Sequence, residues 1–204
     1  MTLTLYHSPQ SRSIRPRWLL EELGVPCEVK LMSLEAGDQK KPEYLKLNPN
    51  GTVPTLIDGD LVLWESAAIC QYLADKFPEK KLAPPPGTPE RGKYYQWIHY
   101  AMSGLEPPAV TLFLHTSRLP EAERLPQLVD AARTQLAGSI AVVDDALAGR
   151  DWMLGSQFTA ADVMIGSTLV WCQLMGLIGD RYANVPGYLA RCGARPALQR
   201  ASAG

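Results

Sequence analysis

The chain has 204 residues, a formal net charge of −1, and 46% hydrophobic against 20% charged residues. That length holds two small cores, and the composition is that of an ordinary folded protein. The near-neutral balance excludes the broad basic face of a nucleic-acid binder or of a protein held to an anionic membrane surface.

Thr2 to Tyr6 alternates with period two, which predicts a strand. The pattern breaks at His7-Ser8-Pro9, so this start lacks the basic residues and apolar run of a secretory signal. Ile14 to Leu23 predicts a helix, with Trp18, Leu19 and Leu23 on one side and Gly24 as its stop. Cys27 to Leu31 alternates again and predicts a second strand, and Pro42 to Leu47 has room for one or two helical turns. Between Pro54 and Trp64, two apolar runs flank Asp58-Gly59, a dipeptide favoured in a tight type I′ hairpin turn. Glu65-Ser66 opens a helix to about Phe77, with Ile69, Tyr72 and Leu73 as its stripe, and Pro78 ends it.

Pro84-Pro85-Pro86-Gly87 can neither extend a helix nor sit in a sheet, so it reads as a linker. No strand pattern follows it. A helix starts near Pro89, and Pro107-Pro108 should kink or end it. Gln127 to Ala148 carries Leu128, Ala132, Leu136, Ile140, Val143 and Leu147 at spacings of three and four, an amphipathic helix. Ala160 to Leu177 is apolar almost throughout and predicts a helix buried on most sides. The expected fold class is α/β plus all-α: residues 1–80 as one domain, 81–88 as linker and 89–204 as an all-helical domain.

No apolar stretch reaches the roughly 18 to 20 residues needed to span a bilayer. A soluble, cytoplasmic protein with no membrane or nucleic-acid partner is expected. Cys27, Cys70, Cys172 and Cys192 form no C-x-x-C pair, and His7, His99 and His115 are far apart. No metal is expected, and the thiols read as small buried hydrophobes in a reducing compartment.

Three constellations carry chemistry. The first, Tyr6 to Pro16, lies between the first strand and the first helix, where open α/β sheets collect ligands. Pro16 must fall in the first helical turn, which puts Ser11 at a helix mouth with unpaired N–H groups and partial positive charge. Ser11 and Ser13 equally suit helix caps. The second is Asn50-Gly51-Thr52-Val53-Pro54-Thr55. A cis Val53–Pro54 bond would let an extended peptide pair with the Val53 backbone, whereas a trans bond would make this an ordinary strand entry. The third, Glu65-Ser66, offers a helix start to a carboxylate and a carboxylate to an ammonium, or else a plain cap with an acidic first turn.

Taken in order, Leu5-Tyr6, Ser11, Arg15, Pro42-Glu43-Tyr44-Leu45, Asn48-Pro49, Val53-Pro54-Thr55-Leu56 and Glu65-Ser66-Ala67-Ala68-Ile69 resemble the N-terminal domain of cytosolic glutathione transferases. The likeness covers Thr2 to Phe77 and extends to Phe158-Thr159-Ala160-Ala161-Asp162, which resembles the family's structural capping box, with Phe158 packing on Val163. It implies a thioredoxin-like βαβαββα domain followed by a helical bundle. It also implies a homodimer, and glutathione as co-substrate.

The resemblance further implies site residues. Ser11 matches the catalytic serine of theta-like transferases and the cysteine of the bacterial beta class. It would stabilise the glutathione thiolate by an O–H···S⁻ bond, with Ser13 and Tyr6 as alternatives. Val53 and Pro54 would hold the cysteinyl backbone, Ser66 the γ-glutamyl carboxylate, and Glu65 the ammonium. Gln39 and Lys40 would face the glycyl carboxylate, where Gly51 departs from relatives that carry a basic side chain. Tyr6, Tyr100, Met102, Leu105 and Trp171 are the expected electrophile contacts. The implied activity is conjugation of glutathione to small hydrophobic electrophiles. Glutathione-dependent peroxide or disulfide reduction and a non-catalytic binding module are the competing readings.

Overall fold

Strand β1 (Leu3–His7) turns Leu3, Leu5 and His7 inward and leaves Thr4 and Tyr6 half-buried, the period-two alternation of a sheet with two different faces. The computed structural model describes residues 3–203, so the Thr2 end of this expected strand lies outside it. Helix α1 (Ile14–Leu23) buries Pro16, Trp18, Leu19, Leu20 and Leu23. It stops where Gly24 takes the left-handed conformation, φ 65°, and gives its N–H to Leu20 O. After β2 (Cys27–Leu31) and the short α2 (Pro42–Leu45) come β3 (Thr55–Asp58), β4 (Leu61–Trp64) and α3 (Ser66–Lys76). The sheet order is β2-β1-β3-β4, with β1 parallel to β2 and antiparallel to β3. This is the thioredoxin-like βαβαββα arrangement.

The hairpin differs from expectation by one residue. Asp58 pairs with Leu61, so the two-residue turn is Gly59-Asp60 and not Asp58-Gly59. Gly59 alone has a positive φ, 61°, as a type II′ turn requires at its first central position. Asp58 is kept in the strand by its own side chain, which accepts from Tyr72 Oη at 2.5 Å and pairs with Lys76.

The chain forms two compact units, and their membership departs from the expected division. The first holds the described residues up to Ala83 and again from Gly193 on. Helix α9 (Pro196–Ser202) packs along α1, with Arg195 bound to Glu22 through two bonds of 2.5 and 2.6 Å and Arg200 bound to Glu21 at 2.7 Å. The expected all-helical stretch 89–204 therefore loses its last helix to the sheet unit.

The second unit is helical. Helix α4 (Pro89–Tyr100) is capped by Thr88, whose hydroxyl accepts from Arg91 N–H. A π-helical turn (Ala101–Leu105) leads into α5 (Glu106–Phe113), and another (Leu114–Arg118) follows it. The effect expected of Pro107-Pro108 takes this form: the helical backbone runs on through a π turn, and the prolines fall in the first turn of α5. Helices α6 (Pro126–Ala146), α7 (Ala160–Leu174) and α8 (Val185–Gly193) complete the unit. Asp144 collects the N–H groups of Ala183, Asn184 and Val185 at the α8 start. No helix among the described residues is long and apolar enough to cross a membrane.

Candidate functional site

The corner between β1 and α1 holds a dense hydroxyl cluster. Ser13 is completely buried and sits at the N-cap position of α1, yet its side chain caps nothing. Its backbone is already helical, φ −69° and ψ −11°, so the hydroxyl turns back into the loop. There Ser13 Oγ lies 2.6 Å from His7 Nδ1 and 2.7 Å from Ser11 Oγ, and it accepts from Ser8 N–H at 3.0 Å. Ser11 is half-buried. Its hydroxyl donates to Ser8 O at 2.7 Å and accepts from Ser13 N–H at 3.2 Å. His7 is 1% exposed, and its Nε2 has no hydrogen-bond partner. Burial first, and then the charge of Arg17, pushes the His7 pKa down, so the ring is neutral at physiological pH.

Tyr6 points the other way. The alternation of β1 puts it on the opposite sheet face from His7, where its ring meets Tyr44 of α2 at 5.3 Å and Lys30 lies over it. A cavity of about 280 Å³ on that face is lined by Tyr6, Met32, Tyr44 and Leu47 with Asp38, Lys41 and Glu43. Of the three hydroxyls left open by the sequence, Ser13 is sealed and Tyr6 is on the α2 face. Ser11 is the one that keeps accessible surface at the helix mouth.

The Val53–Pro54 bond is cis. The loop before it is tied from below. Tyr44 Oη donates to Thr52 O at 2.6 Å and lies 2.7 Å from Thr55 Oγ1, while Asn48 Nδ2 donates to Thr52 O at 2.9 Å. Gly51 is fixed by its neighbours as well as by its φ of 58°: a Cβ there would meet Lys40 Nζ at 2.8 Å and Gln39 O at 2.9 Å. Lys40 Nζ itself donates to Asn50 O at 3.3 Å. The ammonium group thus stands over position 51 in the place a side chain would take. Gln39 Nε2 donates to Leu34 O, and its Oε1 is buried without a partner.

Glu65 is exposed and holds φ 75°, ψ 112°, a backbone state non-glycine residues rarely adopt and one that clusters at functional sites. Ser66 follows at the first position of α3, 2% exposed, and accepts from Arg15 Nη1 at 3.1 Å. With that acceptor site filled, its own proton is left to give. Arg15, part of the sequence motif but given no role there, is the supporting residue. A charged residue on the buried face of α1, only 3% exposed, must have a polar partner, and that was the available signal.

In the helical unit the expected electrophile contacts divide. Leu105 is completely buried, which leaves it no surface to offer a ligand. Tyr100 donates to Ser139 O at 3.3 Å, Met102 is half-buried, and Trp171 is half-buried with its ring edge-on to Phe113 at 5.7 Å. The capping box at α7 is present: Thr159 Oγ1 accepts from Ala161 N–H, and Asp162 Oδ2 accepts from Thr159 N–H at 2.9 Å. Asp162 Oδ1 also accepts from Met153 N–H at 2.8 Å, and Tyr188 Oη lies 3.3 Å from it. Phe158 packs edge-on to Trp152 at 4.9 Å.

The chain matches known proteins along most of its length. Residues 1–75 match the model for the glutathione S-transferase N-terminal domain, and residues 126–200 match that for the C-terminal domain. Glutathione S-transferase GST-4.5 of Xanthomonas campestris pv. campestris is 33% identical over 175 residues, 86% of this chain and 85% of the relative. GstA of Escherichia coli O157:H7 is 29% identical over 205 residues, covering 98% and 96%. Among solved structures, the theta class glutathione S-transferase of Xanthomonas axonopodis pv. citri, crystallised with glutathione bound, superposes with a TM-score of 0.87 at 34% identity, covering 100% of this chain and 98% of that one.

Proposed function

Since the chain belongs to the glutathione S-transferase family, we propose that it conjugates glutathione to small hydrophobic electrophiles and that Ser11 stabilises the thiolate. The observation that carries this reading is the accessibility of Ser11 at the α1 mouth, where Ser13 is sealed and Tyr6 faces α2. A free thiol has a pKa of about 8.5, and lowering it by two units takes roughly 2.7 kcal/mol of preferential anion stabilisation. One hydrogen bond to a charged acceptor plus a helix N-terminus supplies an energy of that order.

The tripeptide would lie along the unit from γ-glutamyl to glycyl end. Ser66, which accepts from Arg15, would donate to the γ-glutamyl carboxylate, and the exposed Glu65 would receive the ammonium. The backbone of Val53, ahead of Pro54, pairs with the cysteinyl residue. Lys40, standing over Gly51, supplies the positive charge for the glycyl carboxylate, with Gln39 beside it. On this reading the basic group that relatives carry just before the Val-Pro pair comes from the preceding loop.

Conjugation is favoured over disulfide reduction by the protein's own thiols. Burial pushes Cys27 up to about 11 and Cys70 and Cys172 to about 12, the opposite of a reactive thiolate. All four thiols are free, which suits a cytoplasmic protein. A second copy of the chain is the partner we infer: β4 is an edge strand with Leu61, Val62 and Trp64 exposed, and covering it would complete a homodimer. Sedimentation giving a monomer at working concentration would remove that partner.

The test is turnover with a chloronitrobenzene-type acceptor alongside calorimetry with glutathione. With the thiol pKa moved from about 6.5 part of the way towards 8.5, Ser11→Ala should lose up to roughly 20-fold in turnover at pH 7 while keeping glutathione affinity. Unchanged turnover removes Ser11 from its role. Absence of glutathione binding at millimolar concentration makes the chain a non-catalytic module.

A further inference from the structure

His7 has no place in the chemistry described so far, yet it is buried, neutral and bonded at one nitrogen to the Ser11–Ser13 pair. Donor and acceptor accounting over this cluster is restrictive. A serine hydroxyl has one proton to give and two lone pairs to receive with. Ser13 Oγ spends one lone pair on Ser8 N–H at 3.0 Å. His7 Nδ1, 2.6 Å away, either donates to the other lone pair or takes the Ser13 proton.

The two choices differ at the far side of the ring. If the proton is on Nε2, a buried N–H has no acceptor. If it is on Nδ1, only a lone pair is orphaned, which is the cheaper defect. The Nδ1–H form is therefore favoured. It fills the second lone pair of Ser13 and obliges Ser13 to donate. Ser11 Oγ, at 2.7 Å, is a nearer acceptor than Ser8 O at 3.1 Å. Ser11 Oγ then receives twice, from Ser13 O–H and from Ser13 N–H at 3.2 Å, and has both lone pairs occupied.

We propose that His7 and Ser13 are positioning residues that make Ser11 a donor-only hydroxyl, so that it selects a thiolate over a thiol. The inference rests on the reading of Ser11 as the thiolate's partner. A thiol S–H arriving at such a hydroxyl finds no lone pair to donate to. A thiolate finds a proton, which swings to it from Ser8 O. The selection comes from the direction of a hydrogen-bond chain, His7 Nδ1–H to Ser13 to Ser11 to sulfur, and needs no net charge at the site. In the opposite tautomer Nδ1 would take the Ser13 proton, leaving Ser11 a free lone pair for the thiol.

The test is the pH dependence of kcat/KM for aryl halide conjugation, with the ultraviolet absorbance of the bound thiolate as a direct readout. Arg17 is the charged group acting on His7, and Arg12 and Arg15 lie within two residues of Ser13 in sequence. Ser13→Ala and His7→Leu should raise the apparent thiol pKa and lower kcat/KM at neutral pH about 3- to 10-fold. KM for glutathione should hold within about twofold, and rates should return to wild type at high pH. His7→Asn, whose amide N–H takes the position of Nδ1–H, should recover most of the loss. If Ser11→Ala moves the thiol pKa while Ser13→Ala or His7→Leu leaves it at the wild-type value, the chain of donors is refuted and Ser11 stands alone. A rate loss that persists at high pH refutes it as well, since that is a structural defect. If Ser11→Ala itself leaves the thiol pKa unmoved, the Ser11 reading fails first.

Discussion

Two helix starts in this protein each place a hydroxyl residue at the N-cap position and end in opposite states. At α7, Thr159 is extended, φ −139°, accepts from Ala161 N–H, and is answered by an Asp162 carboxylate that also takes Met153 N–H. Nearly every polar atom there is buried and spent. At α1, Ser13 has helical backbone and leaves its own helix uncapped, and the hydroxyls of Ser13 and Ser11 bond each other and the loop behind them. The difference lies in where the cap is spent: at α1 the side-chain oxygen is withheld from the helix, and one hydroxyl keeps a surface.

The comparison breaks first, if it breaks, at Asp162. Both its oxygens accept from backbone N–H groups, so Asp162→Asn sets an NH₂ against a donor in a buried place. The expected loss is about 2–4 kcal/mol in chemical unfolding, with little change in the thiol pKa of bound glutathione. A loss below about 1 kcal/mol would mean that the α7 start is not the saturated structural cap described.

Ser11→Ala should show the reverse pattern, stability changed by less than about 1 kcal/mol while turnover falls. Next in size is Arg15→Leu. Without the guanidinium, Ser66 loses the bond that aims its hydroxyl, and KM for glutathione should rise roughly 5-fold or more, with a smaller effect on kcat. An unchanged KM would detach Arg15 from the γ-glutamyl subsite. Thr159→Ala should cost about 1 kcal/mol, since Asp162 keeps its other bonds.

The smallest effect is in pH, where the two starts titrate with opposite sign. Burial raises Asp162 to about 6, so its share of stability is complete below the ordinary carboxylate range and is lost as pH rises through about 6. Burial and Arg17 lower His7, so its share is complete above about 6.5 and is lost as pH falls through the depressed value. In unfolding between pH 5 and 7.5, His7→Asn should remove the acid-side loss and leave the Asp162 trend. A variant with the wild-type profile would mean that His7 titrates normally.

Much of the sheet unit was legible because its boundaries are local chemistry. Gly24 ends α1 through a left-handed backbone, and the alternation of Cys27 to Leu31 gives β2 its observed bounds. The hairpin register was off by one because the deciding partners of Asp58, Tyr72 and Lys76, lie on α3, far from the turn. The π-helical turns around α5 carry no pattern of their own, since a single extra residue per turn leaves no period to read. The same limit hid Arg15 with Ser66 and Asp144 with the α8 start: each is a buried polar group whose partner is set by packing. At the candidate site the residue types could be read, but which serine is sealed could not. That follows from one ψ angle at Ser13.

The pairing of α9 with α1 has a consequence for the order in which the protein can be made. Synthesis runs from the first residue onward at about 5–20 residues per second. Arg200 and Arg195 bind Glu21 and Glu22, so α1 leaves the ribosome well before the helix that completes its unit is made. For several seconds of each synthesis cycle the flank of α1 is bare, with Glu21 and Glu22 held only by Arg17 and Trp18 of their own helix and the surface that α9 will cover open to water. A nascent chain stalled before Arg195 would hold every residue of the proposed glutathione site while α1 still waited for its support.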